Sequence, residues 1–304
     1  MTQPQPLWGI DLGGTKIECV VLESAANPEP IQRIRIDTEG DQGYHHVLSR
    51  IQQLINEVSW DTGLIPDRLG IGTPGSVDPD SGLLRGSNSQ HLMGQPLKDD
   101  LEELFDIPVF VENDANCFAL AESRIGVVKE LEGPTNVVFG VILGTGVGGG
   151  LVIEQRLVAG RNLIAGEWGH NFLDQSGGAC YCGKSGCAET ILSGPSLEDY
   201  YSQRSGSSIP LTEISAQAEA GDVHAVATIN RLIRFFGVGI SSIINTIDPD
   251  VIVIGGGVGN IEALYSRGIG AVKKNVFSNA LKTKIVKPSL GDSAGVFGAA
   301  FLSQ

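Results

Sequence analysis

A short apolar run, a glycine-rich turn and a second apolar run occur twice along these 304 residues. Leu7–Asp11 and Ile17–Leu22 flank Leu12-Gly13-Gly14-Thr15-Lys16; Asn136–Leu143 and Gly150–Ile153 flank Gly144-Thr145-Gly146-Val147-Gly148-Gly149. Runs rich in β-branched residues and bounded by glycine read as buried strands joined by tight turns. Without a Cβ in the way, the backbone N–H groups of such a turn meet phosphate oxygens closely. One turn of this kind is equally an ordinary hairpin. Two of them imply two related α/β domains facing each other across a cleft and clamping a nucleotide's phosphates from both sides. Asp11, just before the first turn, is placed to hold a hydrated Mg²⁺, and Lys16, just after it, to meet phosphate charge.

Helices and further strands fill the intervals. A third strand is expected near Ile31–Ile36. Val47, Ile51, Leu54, Ile55 and Val58 share one face of a helix over Tyr44–Trp60. Arg68–Thr73 and Val109–Glu112 read as strands, Leu97–Phe105 as a short helix, and Asp114 as the cap of a helix running to about Gly126. Asn162–Glu189 is irregular, and helices follow to about Ile247. Asp250–Ile254 is a strand leading into Gly255-Gly256-Gly257 and a helix, and Gly295–Leu302 is a small-residue helix.

The formal charge of -14 excludes a general nucleic-acid role, because no basic stripe meets a phosphate backbone. The start, MTQPQPLW, has neither a basic n-region nor an apolar core, so a cytoplasmic location is expected. Gly133–Ile153 is uncharged and long enough to raise the question of a membrane span, but its seven glycines and Pro134 suit strand–turn–strand instead, and no membrane partner is expected. Three of the five cysteines, Cys180, Cys182 and Cys187, cluster, which without an export signal points to a metal rather than to disulfides. With His170 they make one nitrogen and three thiolates, a tetrahedral Zn²⁺ set whose four protein ligands mark a structural site.

Two motif matches fail on context. Gly178–Ser185 satisfies the Walker A pattern, yet no buried strand precedes it and Gly186 stands where its helix should begin. Gly144–Gly149 satisfies the dinucleotide fingerprint, yet strand-like Leu151-Val152-Ile153 follows instead of a helix.

Asp11-Leu-Gly-Gly-Thr-Lys16, Glu112-Asn-Asp-Ala-Asn116, Leu143-Gly-Thr-Gly146, Gly166-Glu-Trp-Gly-His170 and Cys180-Tyr-Cys-Gly-Lys-Ser-Gly-Cys-Ala-Glu189 together resemble the ROK family of repressors, open reading frames and kinases. The resemblance spans nearly the whole chain, and the His–Cys–Cys–Cys loop with its trailing Glu is its most specific mark. It implies a duplicated, two-domain actin-like ATPase (ribonuclease H-like) fold with Mg²⁺-ATP in the interdomain cleft. The domains would be 1–117 with 296–304, and 118–295 carrying the zinc loop. It also implies phosphorylation of a hexose hydroxyl by ATP, with Asp114 as the base and Asn88, Asn113, Glu167, His170 and Glu189 on the sugar. Gly13, Gly14, Thr15, Gly144, Thr145 and Gly146 would meet the phosphates, and Gly255 and Gly256 the adenosine side. The Cys-Tyr-Cys-Gly-Lys and Gly-Glu-Trp-Gly-His motifs lean towards the fructokinase-like members, so a fructokinase- or glucokinase-like hexose kinase is expected; an N-acetylglucosamine or N-acetylmannosamine kinase, or a non-catalytic sugar-sensing regulator of the family, is the alternative. The resemblance further implies a homodimer. A repressor of the family carries an N-terminal helix-turn-helix, for which the first strand at Leu7 leaves no room. Loss of the zinc is expected to free the sugar contacts together and to impair the sugar dependence of the reaction more than ATP binding at the remote phosphate loops.

Overall fold

The computed structural model describes residues 5–86 and 89–304, which pack as two compact units. The first holds the residues up to Lys129, Arg156–Ala165 and Leu290–Gln304; the second holds Glu130–Gln155 and Gly166–Ser289.

In the first unit β1 (Leu7–Leu12), β2 (Lys16–Leu22) and β3 (Pro30–Asp37) form an antiparallel meander. Helix α1 (Tyr44–Thr62) buries Val47, Ile51, Leu54, Ile55 and Val58 and packs on β2 and β3. It stops at Gly63, whose left-handed φ of 70° lets its N–H return to the Ser59 carbonyl. Next come β4 (Leu69–Thr73), a small hairpin of β5 (Ser76–Val77) and β6 (Leu84–Arg85), α2 (Leu97–Phe105), β7 (Val109–Asn113) and α3 (Asp114–Arg124). The sheet order is β3-β2-β1-β4-β7, with β1, β4 and β7 mutually parallel. Trp8, Ile10, Leu12, Ile17, Ile51, Leu54 and Ile71 lie in its core.

The second unit repeats the plan. Strands β8 (Val137–Leu143) and β9 (Val147–Ile153) form the hairpin around the second glycine turn, with β9 beginning three residues earlier than the sequence pattern suggests. A two-residue strand that belongs to the first unit, β10 (Arg156–Leu157), follows in the chain. Helices α4 (Glu189–Leu192), α5 (Gly194–Ser205), α6 (Leu211–Glu219) and α7 (Val223–Ile247) precede β11 (Val251–Gly255), α8 (Ile269–Asn275) and β12 (Lys284–Val286). Strand order runs β9-β8-β11-β12, again with an antiparallel hairpin partner followed by parallel neighbours. Helix α7 is long and apolar enough to cross a membrane by length and composition; here it is a core helix contributing Ile229, Leu232, Phe236, Ile240 and Ile244. Its start is fixed by Asp222, whose carboxylate accepts the Ala225 N–H at 2.8 Å.

The chain closes with α9 (Ala294–Ala300), which packs on β1, β4 and α3 of the first unit. Its sequence AGVFGAA is nearly all small residues, so its backbone lies flush on the sheet: a Cβ on Gly70 of β4 would overlap the Ala299 carbonyl.

Candidate active site

In the first unit, Asp11 lies near the C-terminal end of β1 and Asn113 and Asp114 at the end of β7, with β4 between them. Ligand-binding groups of parallel sheets gather at these strand ends. The turn Gly13–Thr15 is pinned by its own closure, Gly13 N–H to the Lys16 carbonyl at 2.9 Å, and by Thr38. The Thr38 hydroxyl donates to the Gly13 carbonyl at 2.8 Å and its N–H to that of Thr15 at 2.9 Å. Gly14, Thr15 and Lys16 are left exposed. Asn88 lies outside the described residues.

Burial pushes the Asp11 carboxyl up to about 7, helped by the negative charges of Asp114 and Glu18 and opposed by Arg35. Glu18 is itself buried and paired with Arg35 and, at 3.2 Å, with Arg33. Two carboxylates held close enough for one to disfavour ionisation of the other suit a divalent cation, which would relieve that repulsion.

The cap of α3 is Asn113, not Asp114. Asn113 has the extended backbone of an N-cap, its Oδ1 accepts the Ala115 N–H at 2.9 Å, and its Nδ2 donates to the Gly75 carbonyl at 3.2 Å. Asp114 is the first helical residue, exposed, its Oδ1 2.8 Å from the same Ala115 N–H. Beneath it Asn116 donates to Glu112 at 2.9 Å, and burial raises the Glu112 carboxyl above its ordinary range.

In the second unit the turn Gly144–Gly146 is closed by the Gly144 N–H on the Gly146 carbonyl at 2.9 Å. It is held from outside as well. The Glu189 carboxylate accepts the Val147 N–H at 3.0 Å, and the Gly194 N–H, at the start of α5, donates to the Gly144 carbonyl at 2.8 Å. Gly255 and Gly256 end β11, parallel to β8. Gly256 has φ 82°, and a Cβ there would overlap the Leu143 carbonyl, so the second glycine element rests directly on the start of the Gly144–Gly146 turn. The helix expected after Gly257 is present from Leu264, where a π-helical stretch, Leu264–Gly268, runs into α8, and it is preceded by a short 3₁₀ turn, Val258–Asn260. Tyr265 braces it, its hydroxyl donating to the Gly259 carbonyl at 2.8 Å.

His170, Cys180, Cys182 and Cys187 come together, with one ligand atom from each within 4.8 Å of the others. Zn–S and Zn–N bonds of ~2.3 and ~2.0 Å at tetrahedral angles put sulfurs about 3.8 Å apart and nitrogen about 3.6 Å from sulfur. The Cys182 and Cys187 sulfurs are 3.7 Å apart, and Cys180 Sγ is 3.6 Å from His170 Nδ1. The donor set therefore fits zinc in chemistry and in edge length. The Walker-like run is the knuckle of this loop: the Cys180 N–H donates to the Lys184 carbonyl at 2.8 Å, and Ala179 bridges Ser185. No strand feeds it, and no helix begins before Glu189.

The other ring nitrogen of His170 lies 3.0 Å from the Tyr181 hydroxyl, a partner absent from the sequence reading. Burial, and then the charges of Glu189 and Glu167, push that hydroxyl up to about 12, so the three residues share one electrostatic neighbourhood. Trp168 anchors the segment: it is buried, and its indole N–H donates to the Gly148 carbonyl of β9 at 2.9 Å. Cys19 and Cys117 are buried in the first unit, away from any metal set. Thr38 and Tyr181 act through contacts 25 and 11 residues away, Tyr265 through one six residues back, and no local pattern marks them.

Comparison with known proteins gives a consistent result. The ROK family profile matches residues 7–304. The N-acetyl-D-glucosamine kinase of Yersinia pseudotuberculosis is 38% identical over 308 aligned positions, covering 97% of this chain and 98% of that one. A ROK hexokinase from Thermus thermophilus superposes with a TM-score of 0.88 at 30% identity, covering 98% of each chain. A ROK glucokinase from Streptomyces griseus, solved with glucose and AMPPNP, superposes at 0.77 with 29% identity, covering 98% of this chain and 99% of that one.

Proposed function

The chain belongs to the ROK family and is an ATP-dependent sugar kinase of the two-domain actin-like ATPase fold, and from that premise we propose that its acceptor is N-acetyl-D-glucosamine. The observation that carries the proposal is the 38% identity with an N-acetyl-D-glucosamine kinase along 97% of the chain. A hexose such as glucose is the second reading, favoured by the superposition on a hexokinase at 0.88.

In this reading Asp114 takes the proton of the attacking hydroxyl, a task suited to an exposed carboxylate at a strand-to-helix junction. Asn113, Glu167, His170 and Glu189, with Asn88, hold the remaining sugar hydroxyls. The backbone N–H groups around Gly13–Thr15 and Gly144–Gly146 receive phosphate oxygens, Lys16 adds positive charge, and Gly255–Gly256 borders the adenosine. A Mg²⁺ ion held through Asp11 would neutralise charge developing on the transferred phosphoryl group. Zn²⁺ on His170 and the three cysteines would hold the loop carrying three of the sugar contacts. Incubating the protein with Mg²⁺-ATP and each candidate sugar tests the acceptor. Mass spectrometry should find phosphorylated N-acetyl-D-glucosamine; sugar phosphate from glucose or fructose alone would refute the proposal.

A further inference from the structure

The segment after the last zinc-loop cysteine grips the second phosphate turn at two points. Glu189 opens α4 two residues after Cys187, and its Oε2 accepts the Val147 N–H immediately beyond Gly146. Five residues on, the Gly194 N–H holds the Gly144 carbonyl. The turn is shaped around this carboxylate, because a Cβ on Gly146 would stand 2.7 Å from Glu189 Oε2. On the other side of α4, backbone contacts continue into the metal loop. The Ala188 N–H donates to the Asn171 carbonyl at 2.9 Å, and Phe172 bridges Cys187.

We infer that Glu189 is a positioning residue: one carboxylate oxygen sets the Gly144–Gly146 turn for the nucleotide phosphates while the other remains for the acceptor sugar, coupling the two substrates through one side chain. The sugar half rests on the acceptor reading above; the phosphate-turn half rests on the observed hydrogen bond. The chemistry favours a carboxylate. It accepts a charge-assisted bond from Val147 on one oxygen and keeps full acceptor capacity on the other. The zinc loop and the phosphate turn are thus joined through α4, so metal loss should reach the nucleotide turn as well as the sugar contacts.

The test compares wild type with Glu189→Ala, Glu189→Gln and Gly146→Ala, each checked for zinc content and by thermal melt. Mg²⁺-AMPPNP and adenosine are titrated into each protein. Glu189→Ala should weaken AMPPNP about tenfold, the scale of a lost charge-assisted hydrogen bond, while Glu189→Gln, which keeps an acceptor for Val147, stays within about threefold. Adenosine affinity should be unchanged in both. Equal losses for AMPPNP and adenosine would mean that Glu189 only holds the fold together, and no loss would mean that the contact does not set the turn; either overturns the inference. The second arm titrates N-acetyl-D-glucosamine without nucleotide. Gly146→Ala, which displaces the Glu189 carboxylate from the phosphate side, should weaken sugar binding about fivefold or more. Unchanged sugar affinity in Gly146→Ala removes the coupling. If wild type fails to bind N-acetyl-D-glucosamine, the acceptor reading falls, and this arm is run with whichever sugar the wild type phosphorylates, so the two failures stay separate.

Discussion

Two carboxylates at the strand ends of the first unit have opposite tasks. Asp114 is exposed, and as the proposed general base it would act on the chemical step. Asp114→Asn should therefore lower kcat by roughly 10²–10⁴ while the dissociation constant for sugar, measured by titration, stays within about tenfold. A variant that keeps half its turnover would reduce Asp114 to a helix-start residue supporting the Asn113 cap. Asp11 is held by burial and by Asp114 at a pKa of about 7 in the folded protein, against about 3.9 for an unfolded aspartate. Between those values the native state binds the extra proton, so Asp11 erodes stability as pH rises from about 4 to about 7, and the cost is then complete. Asp11→Asn should remove that cost. In metal-free thermal melts the variant should gain on wild type between about pH 5 and about pH 8, by up to a few kcal/mol. A difference independent of pH would contradict the strained Asp11 carboxyl, whatever became of activity.

Among the elements, the glycine step after β11 offers a paired comparison. Gly256 sits at positive φ against the Leu143 carbonyl, whereas a Cβ on Gly257 would meet nothing within 4 Å. Gly256→Ala should cost ~2 kcal/mol or more in denaturant unfolding and impair nucleotide binding, while Gly257→Ala stays within about 0.5 kcal/mol. Similar penalties at the two sites would show that the contact with the phosphate turn is unimportant. For the metal loop, mass spectrometry should find one zinc per chain in wild type and none in Cys182→Ser, because ligand binding and local folding are one event in such a loop. By the Glu189 linkage the zinc-free variant should lose affinity for AMPPNP as well as for sugar. Retention of full affinity for both would detach the metal from function. The clustering of His170, Cys180, Cys182 and Cys187 was legible because their types and spacing are those of a metal loop, and the strands because apolar runs stopped at glycine. The cap on α3 was misassigned by one residue: Asn and Asp are both good caps, and only backbone conformation separates Asn113 from Asp114. The helix after Gly257 starts at Leu264 rather than at once, because Val258–Asn260 closes on the strand end first, braced by Tyr265.

Across the whole molecule, the duplicated hairpin around a glycine turn was readable in advance because both copies carry it locally. The equivalent strand orders, β3-β2-β1-β4-β7 and β9-β8-β11-β12, depend on long-range pairing that no local pattern announces. The edge strand β12 went unread for a related reason: a strand of three residues shows no period. Acceptor choice belongs to this scale too. It depends on pocket shape, which no motif spells out, so shared motifs name a sugar kinase before they name its sugar. The direct measurement is kcat/KM from an ATP-coupled assay with N-acetyl-D-glucosamine, N-acetylmannosamine, glucose and fructose at saturating Mg²⁺-ATP. N-acetyl-D-glucosamine should exceed glucose by about tenfold or more, the scale on which a site built for polar substituents discriminates. A kcat/KM for glucose or fructose above that for N-acetyl-D-glucosamine would contradict the proposed function.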